Sequence, residues 1–179
     1  METKTTFTYE DYRRTPEDER YQLLEGELVR EPAPKPYHQH VSVKLLYHLC
    51  QYVEEHGSGV VYNCPVDVVL SDINVLQPDI LFISRDRLSI LEEDCIRGAP
   101  DLVVEVLSPS TSQLDRGVKK ELYARFGVRE YWIVDPGARS AEVLSLTPDG
   151  YQATGTFVSP SRLVSPLLPG LSIDLELIF

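Results

Sequence analysis

The segment from residue 77 to residue 136 constrains the fold most strongly, because it places ionisable side chains in runs that otherwise predict buried strands. Asp79 opens one apolar run, and Glu105 lies inside another, in the sequence GAPDLVVEVLSPSTS. An unpaired charge buried at such a position carries a large desolvation cost. The two carboxylates must therefore be neutralised or paired in the folded protein.

A divalent cation bound by both carboxylates, with a lysine nearby, would meet this requirement. That arrangement is typical of enzymes that cleave phosphodiester bonds, since the cation activates water and neutralises charge on the phosphate oxygens. Lys119, on the helix predicted to follow, supplies the lysine. Asp79, Glu105 and Lys119 are therefore the candidate catalytic residues.

Periodicity and turn signals predict an α/β fold. Thr8 and Asp11 have the spacing of a capping box at the start of a short first helix. Apolar spacing predicts a long helix over residues 38–55, ended by Gly57, and another helix over residues 112–126. Short runs rich in β-branched and aromatic residues predict six strands, at residues 59–63, 66–70, 79–83, 102–107, 131–134 and 141–146.

The order of these elements predicts a central mixed β-sheet flanked by helices. Residues 112–126 lie between two predicted strands, so we expect a right-handed βαβ unit with parallel strands. Leucine and isoleucine alternate through residues 171–177, which predicts a docked final strand. A length of 179 residues with 42% hydrophobic residues suits one core, and we expect a single domain spanning residues 1–179.

The phase of the predicted helix over residues 112–126 separates its two lysines. Its apolar stripe consists of Val118, Leu122 and Phe126. At about 100° per residue, Lys119 lies about 60° from the centre of this stripe and Lys120 about 160° from it. Asp115, about 20° from the centre, would pair with Lys119 or point at the site. Ser112 is the predicted N-cap.

Composition and motifs exclude several other classes of protein. No apolar run is long enough for a membrane span, and the polar first residues do not resemble a signal peptide, so we expect a cytoplasmic protein. Three cysteines without CxxC spacing argue against a disulfide framework and a zinc cage, and we expect buried thiols. Zincin, glycine-rich phosphate-loop and GxSxG motifs are all absent from the sequence.

The net charge of -11 disfavours general binding of nucleic acid, because phosphate contacts require clustered lysine and arginine. Binding to DNA would therefore depend on a local basic patch. Five basic residues flank the candidate site in sequence: Lys35, Arg85, Arg87, Arg116 and Lys119.

Several short signatures together resemble one known family. The sequences GAPDLVVEVLSPSTS, YARFGVREYWIVDP and YQLLEGELV, with His38-Gln39 and the closing LPGLSIDLELIF, resemble the Uma-two family of restriction endonucleases within the PD-(D/E)XK nuclease superfamily. The resemblance spans nearly the whole chain. It implies a restriction-endonuclease-like fold, cleavage of DNA with Mg²⁺ or with Mn²⁺ as a substitute, and a homodimer.

The resemblance also implies roles for particular residues. Asp79 and Glu105 would ligate Mg²⁺, and the backbone carbonyl of Val106 would add a ligand. Lys119 would orient the attacking water or stabilise charge on the phosphate. The accessory candidates are Gln22, His38, Asp101 and Asp115.

The chain departs from the superfamily pattern at two positions. The usual lysine lies two residues after the acid, where this chain has Leu107, so Lys119 on the following helix would replace it. The family often carries a glutamate where this chain has Gln22, which removes one accessory carboxylate.

A simpler structural role remains open for each candidate. Asp79 would cap a strand, Glu105 would pair with a buried base, and Lys119 would lie at the surface. Asp101 would be a turn residue and Asp115 a helix cap. His38 would position phosphate or, alternatively, cap the long helix. At the level of function, the alternative to a nuclease is a catalytically silent protein of this fold that acts as a dimeric interaction module.

Overall fold

A computed structural model describes residues 6–16 and 18–179 of the chain. This part of the chain contains thirteen strands in three sheets. The strands are β1 (Tyr21–Leu24), β2 (Glu27–Arg30), β3 (Gly59–Asn63), β4 (Val68–Ser71), β5 (Asn74–Leu76), β6 (Ile80–Ser84), β7 (Ile96–Arg97), β8 (Leu102–Val106), β9 (Glu130–Asp135), β10 (Ser140–Thr147), β11 (Gly150–Val158), β12 (Arg162–Val164) and β13 (Ser172–Asp174).

The helices begin and end near the predicted positions. Thr8 and Asp11 form the predicted capping box at the start of α1, and Gly57 ends α2 in a left-handed conformation with φ 53°. The predicted helix over residues 112–126 is present but is interrupted by a π-helical turn with a kink at Gly117. The helical segments are α1 (Tyr9–Tyr12), α2 (Pro36–His56), α3 (Ser112–Leu114), the π turn (Asp115–Lys119), α4 (Lys120–Phe126) and 3₁₀ helices at Arg85–Ile90 and Leu175–Leu177.

A mixed six-stranded sheet forms the centre of the fold, in the order β11-β10-β9-β8-β6-β3. Strands β8 and β9 pair in parallel, with α3 and α4 between them in sequence, which confirms the predicted parallel pairing. The other neighbours in this sheet are antiparallel. A five-stranded sheet, β2-β1-β5-β4-β7, and a β12-β13 pair complete the architecture.

Strand β8 separates two hydrophobic cores. Leu102, Val104 and Val106 pack with α2 and the C-terminal segment on one face. Val103 and Leu107 pack on the other face in a cluster that includes Leu122 and Tyr123 of α4. Because side chains alternate along a strand, Glu105 lies on the face that α4 covers.

The turn at Glu25-Gly26-Glu27 predicts a strand through Leu28 and Val29, which is β2, whereas five strands were not predicted from the sequence: β1, β5, β7, β11 and β12. Strand β1 forms a hairpin with β2 through a turn in which Glu25 and Gly26 have φ 51° and 80°. Its four residues, and the two or three residues of β5, β7 and β12, are too short to show a period of two. Strand β11 has nine residues but none of them is fully buried, so no apolar alternation marks it, and its hairpin with β10 defines it.

Three local predictions need correction. Thr111, and not Ser112, precedes the helix that follows β8, whereas the side chain of Asp115 pairs with Lys119 as the helical phase predicted. Leu177 is exposed, because the chain leaves β13 and enters a 3₁₀ turn before this residue. All three cysteines are free, as expected, but of these only Cys95 is fully buried.

Asp101 joins the ends of three strands. Its buried carboxylate accepts hydrogen bonds from the backbone N–H of Ser84 at 2.8 Å and from the guanidinium of Arg87 at 2.9 Å. Its backbone N–H donates to Phe82, and its carbonyl accepts from Glu130. Burial alone would raise the pKa of Asp101, but the Ser84 and Arg87 donors hold it below its ordinary value. Within the part of the chain that the structure describes, no helix has the length and apolar character needed to cross a membrane.

We expect Asp101→Asn to lower the free energy of unfolding by about 2 kcal/mol at pH 7, because a buried hydrogen-bonded charge is lost. Since the folded pKa is depressed, this stabilisation is present above the ordinary aspartate pKa of about 3.9 and disappears as the pH falls through the folded value. Urea denaturation at pH 7 and at pH 3 measures the difference, which should shrink at pH 3. Asp86→Asn, an exposed position in the same segment, is the control. Equal stability of wild type and Asp101→Asn at pH 7 would contradict this role.

Candidate active site

A cavity of about 350 Å³ opens where β6 begins, β8 ends and α2 begins. Segments that are far apart in sequence supply its ionisable lining. These side chains are Arg20, Glu31, Lys35, His38, Asp79, Glu105, Asp115 and Lys119. The cavity therefore contains all three candidate catalytic residues and two of the accessory candidates.

Glu105 is held rigidly within this cavity. Its side chain is nearly inaccessible, with the residue 3% exposed. Oε1 accepts a hydrogen bond from the Tyr123 hydroxyl at 2.8 Å and another from Nζ of Lys119 at 3.2 Å. Among the described residues, none donates a hydrogen bond to Oε2. One carboxylate oxygen thus fixes the side chain, and the other remains for a ligand.

Lys119 is the centre of a buried cluster of charges. The residue is 2% exposed, which excludes an ordinary surface lysine. Its Nζ lies 2.9 Å from Oδ1 of Asp115, 3.2 Å from Oε1 of Glu105 and 3.8 Å from Oε1 of Glu31. Three carboxylates therefore converge on one ammonium group, and the cluster carries an excess of negative charge.

The π turn explains why Lys119 lies further inside than a regular helix would place it. The extra residue in the turn rotates the following helix, so that Lys119, Leu122 and Tyr123 are buried while Val118 is only half-buried. Gly117, with φ -108° and ψ -108°, is the residue at which the helical geometry breaks. The predicted contrast between the lysines holds, because Lys120 remains partly exposed.

The pKa values follow from burial and from this excess of carboxylates. Burial raises the pKa of Glu105 well above its ordinary value; the Lys119 ammonium opposes that rise, and the Asp115 and Asp79 carboxylates add to it. Burial alone would lower the pKa of Lys119, but Glu105, Asp115 and Glu31 outweigh it and raise the pKa. Lys119 is therefore charged, and the raised pKa of Glu105 reflects the cost of holding a buried carboxylate beside those of Asp115 and Asp79.

Asp79 is oriented by two donors from different elements. Its Oδ1 lies 3.1 Å from Nε2 of His38, and its Oδ2 accepts the backbone N–H of Val106 at 2.8 Å. Burial alone would lower the pKa of His38, but the contact with Asp79 raises it, which favours the protonated imidazole as the partner of this carboxylate. His38 is thus a positioning residue for Asp79 rather than a cap of α2.

The peptide group of Val106 also faces Asp79. Val106 is in register with Val134 in the parallel pair, and the neighbouring Leu107 N–H donates to the Val134 carbonyl. The peptide groups of Val106 therefore face the opposite edge of β8, where its N–H meets Asp79. Since the N–H and C=O of one strand residue point to the same edge, the carbonyl of Val106 faces that side as well.

Glu31 and Tyr123 were not identified from the sequence. Glu31 directly follows β2 and contacts the amide of Gln22, which is buried on the adjacent strand of the hairpin. The backbone N–H of Gln77 donates to Oε1 of Gln22 at 3.1 Å, so Gln22 links the hairpin to the segment that carries Asp79. Glu31 therefore supplies a carboxylate beside the position where the resemblance led us to expect one.

The structure does not bring every candidate together. Asp101 lies at the opposite end of β8 and is absent from the lining. In the expected basic patch, Arg87 and Arg116 pair with Asp101 and Glu142, and Arg85 does not line the cavity. Lys35 and Lys119 do line it, together with Arg20, which the sequence did not single out.

A nearby thiol offers no nucleophile. Cys64 lines the cavity, and the guanidinium of Arg20 donates to its sulfur at 2.7 Å. Burial raises the pKa of the Cys64 thiol to about 11, so the thiol is protonated at neutral pH. The chemistry of the cavity therefore depends on its carboxylates and basic groups.

The donor set fits a hard cation that keeps part of its water shell. Among the described residues, no group of three or more His, Cys, Asp or Glu side chains is arranged to hold a metal ion. Asp79, Glu105 and Val106 all line the cavity, and carboxylate and carbonyl oxygens are the donors that a hard cation takes. Mg²⁺ is commonly bound through one or two carboxylates with several waters retained, so this set suits Mg²⁺ better than Zn²⁺.

Comparison with known proteins supports this description. The chain is similar to an uncharacterized protein, slr1290, of Synechocystis sp. strain PCC 6803, with 27% identity over 165 residues that cover 90% of this chain and 84% of the relative. It also resembles the crystal structure of a putative nuclease belonging to DUF820 from Anabaena variabilis ATCC 29413. That likeness has a TM-score of 0.80 with 20% identity, covers 97% of each chain, and shows the shared fold.

The sequence pattern of one family extends over almost the whole chain. The match runs from residue 9 to residue 176 and includes every side chain of the cavity named above. It confirms the resemblance that the short signatures indicated. The chain belongs to the Uma2 family, which is described as putative restriction endonuclease.

Proposed function

We propose that this protein is a Mg²⁺-dependent endonuclease that hydrolyses phosphodiester bonds in DNA at the cavity around Asp79, Glu105 and Lys119. The observation that carries the proposal is a fully buried lysine held by carboxylates beside an oriented aspartate. Burying a charged group in the core has a high desolvation cost, and the attraction within an ion pair alone seldom offsets that cost. Membership of the Uma2 family, described as putative restriction endonuclease, indicates phosphodiester hydrolysis as the reaction that such a site would serve.

The metal is the first part of the proposal. Asp79 and Glu105, with the Val106 carbonyl, are the residues that would hold Mg²⁺. When bound there, Mg²⁺ would lower the pKa of a coordinated water and neutralise charge on the phosphate oxygens. The excess of carboxylates around Lys119 supports this assignment, since a cation would compensate it.

The protein side chains prepare the site in three ways. His38 and the Val106 N–H fix the two oxygens of Asp79, so that the carboxylate cannot rotate away. Tyr123 fixes Oε1 of Glu105 in the same way. Lys119 is held in place by Asp115 and Glu105, and its ammonium would stabilise charge that develops on a phosphate.

A catalytically silent interaction module is the second candidate. The convergence of three carboxylates on Nζ of Lys119 favours it, because such an ammonium group is already neutralised. Gln22 and the net charge of -11 point in the same direction. Cleavage assays on duplex, single-stranded and branched DNA and on RNA, with Mg²⁺ and with Mn²⁺, distinguish the two functions.

We expect Mn²⁺ or Mg²⁺ to stabilise the folded protein through Asp79 and Glu105. A cation at about 100 times its dissociation constant should add about 2.7 kcal/mol to the free energy of unfolding. Thermal melting with and without millimolar Mn²⁺ measures this gain, which should disappear in Asp79→Asn. Asp149→Asn, an exposed position in the turn after β10, is the control. An equal response of wild type and Asp79→Asn would place the bound metal elsewhere.

Substitutions of the two neighbouring lysines should have very different effects on the rate of DNA cleavage. We expect Lys119→Met to lose at least about 100-fold in the rate of DNA cleavage, because a preorganised charge at the phosphate is removed. Lys120→Ala should keep nearly the wild-type rate, since this residue lies outside the cavity. Circular dichroism and melting of both variants show whether each is folded. Equal rates for a folded Lys119→Met and wild type would rule out the catalytic role.

We propose further that the protein acts as a homodimer, since two sites related by a two-fold axis give the simplest route to cutting both strands. Sedimentation velocity across micromolar concentrations should therefore show a species of twice the chain mass. A monomer across that range, with duplex cleavage intact, would contradict this part of the proposal.

A further inference from the structure

A second cavity of about 290 Å³ adjoins the candidate active site. The two cavities share four lining residues, namely Lys35, His38, Ser108 and Pro109. A ligand that lies over this shared wall would enter both cavities. The second cavity is therefore part of the surface that a substrate of the first would meet.

The two cavities differ in chemistry. The first contains four carboxylates and their basic partners, whereas the second is mostly apolar. Its lining residues include Tyr37, Leu107, Pro109 and Pro136. Tyr37 is 48% exposed, and its ring lies nearly parallel to that of His40 at 6.3 Å between centroids. An exposed aromatic ring at an apolar cavity suits a flat, weakly polar group.

A few polar groups lie among these apolar walls. Ser112 and Asp135 belong to the lining. Oδ1 of Asp135 accepts the backbone N–H groups of Gly137 and Ala138, which fixes the orientation of its carboxylate. An apolar slot with a few fixed donors and acceptors has the character of a site for a heterocyclic base.

The shared wall has groups that attract an anion. Helix α2 begins at Pro36 without a side-chain cap, so its first N–H groups, at Tyr37 and His38, have no partner within the helix. Lys35 precedes the helix and lines both cavities. Nδ1 of His38 is buried and lacks a hydrogen-bond partner among the described residues. A phosphate at this wall would meet a lysine and a helix N-terminus.

We propose that the second cavity binds the base of the nucleotide whose phosphate lies at the shared wall beside the scissile bond. The ligand class is a single deoxynucleotide unit, with its base between Tyr37 and the proline rings and its phosphate at Lys35 and His38. The assignment of that phosphate to a substrate rests on the proposed nuclease function. The nucleotide beside the cut is then held out of the base stack, so an unpaired or easily unpaired base binds best.

The test is isothermal titration calorimetry of the protein in Ca²⁺ with the four deoxynucleoside 5′-monophosphates and with 2-deoxyribose 5-phosphate, which lacks a base. We expect at least one nucleotide to bind about tenfold more tightly than the base-free sugar phosphate. Tyr37→Ala should reduce that advantage by about fivefold or more, the range for loss of one base–aromatic contact. Ser112→Trp, which fills the cavity, should abolish the advantage and leave binding of the sugar phosphate unchanged.

Tyr47→Ala is the matched control, because Tyr47 is an exposed tyrosine of the same helix, also next to a histidine ring, and lies outside both cavities. Its nucleotide binding should equal that of wild type. Because Tyr37 is half-exposed, Tyr37→Ala should remain folded, and it tests the proposal even if Ser112→Trp unfolds. Equal affinity for nucleotide and base-free sugar phosphate, or an undiminished advantage in Tyr37→Ala, would overturn the proposal.

Cleavage of DNA by the same wild-type preparation separates this proposal from the one on which it rests. Binding of the base without any cleavage would reject the nuclease function and retain the nucleotide site. Cleavage without a contribution from the base would reject the site and retain the nuclease. If the protein neither cleaves DNA nor binds the base, both the nuclease function and the nucleotide site are rejected.

Discussion

The ammonium group of Lys119, buried among Glu31, Glu105 and Asp115, is the interaction on which the rest of the site depends. Each of these carboxylates comes from a different element, namely the end of β2, the middle of β8 and the π turn. Removing the lysine would leave three buried or half-buried carboxylates without compensation, and such groups protonate or separate. The charge cluster therefore ties the N-terminal hairpin, the central sheet and the helix after β8 to one geometry.

Strand β8 links this cluster to the fold by simple alternation. Its odd-numbered residues face α4 and its even-numbered residues face α2, so a single strand closes both cores. Glu105 takes the one polar position in that pattern, and the following N–H and carbonyl, of Val106, face the edge where Asp79 lies. The same five residues thus provide hydrophobic stability and two of the three oxygen donors proposed for the metal site, those of Glu105 and Val106.

Sequence reasoning identified the features that depend on local period and missed those that depend on pairing between distant segments. The alternation in β8 placed Glu105, and the helical phase separated Lys119 from Lys120. On a regular helix Tyr123 would lie about 100° from the stripe centre, and no role was predicted for it. It actually donates to Glu105, because the π turn rotates the helix, and no feature of the sequence besides Gly117 signalled that turn.

Glu31 shows the second limit of sequence reasoning. Its role depends on the hairpin that brings it beside Gln22, and the four residues of β1 were too few to predict that strand. Asp101 shows the converse, since a carboxylate after Pro100 at the start of β8 looks equivalent to Asp79 after Pro78 at the start of β6. Only the three-dimensional structure distinguishes them, because Asp101 meets the guanidinium of Arg87 whereas Asp79 meets a cavity.

The charge balance of the cavity connects the metal with the substrate. Four carboxylates line it together with four basic groups, Arg20, Lys35, His38 and Lys119, most of which form ion pairs with those carboxylates, so a phosphate that approaches alone meets no net positive charge. A cation between Asp79 and Glu105 would make the local charge positive, and by linkage a bound phosphate would strengthen the cation site by the same factor. In a chain with a net charge of -11, coupling of this kind is the physical route by which the proposed site would hold a polyanion, because the wider surface offers no general attraction for DNA.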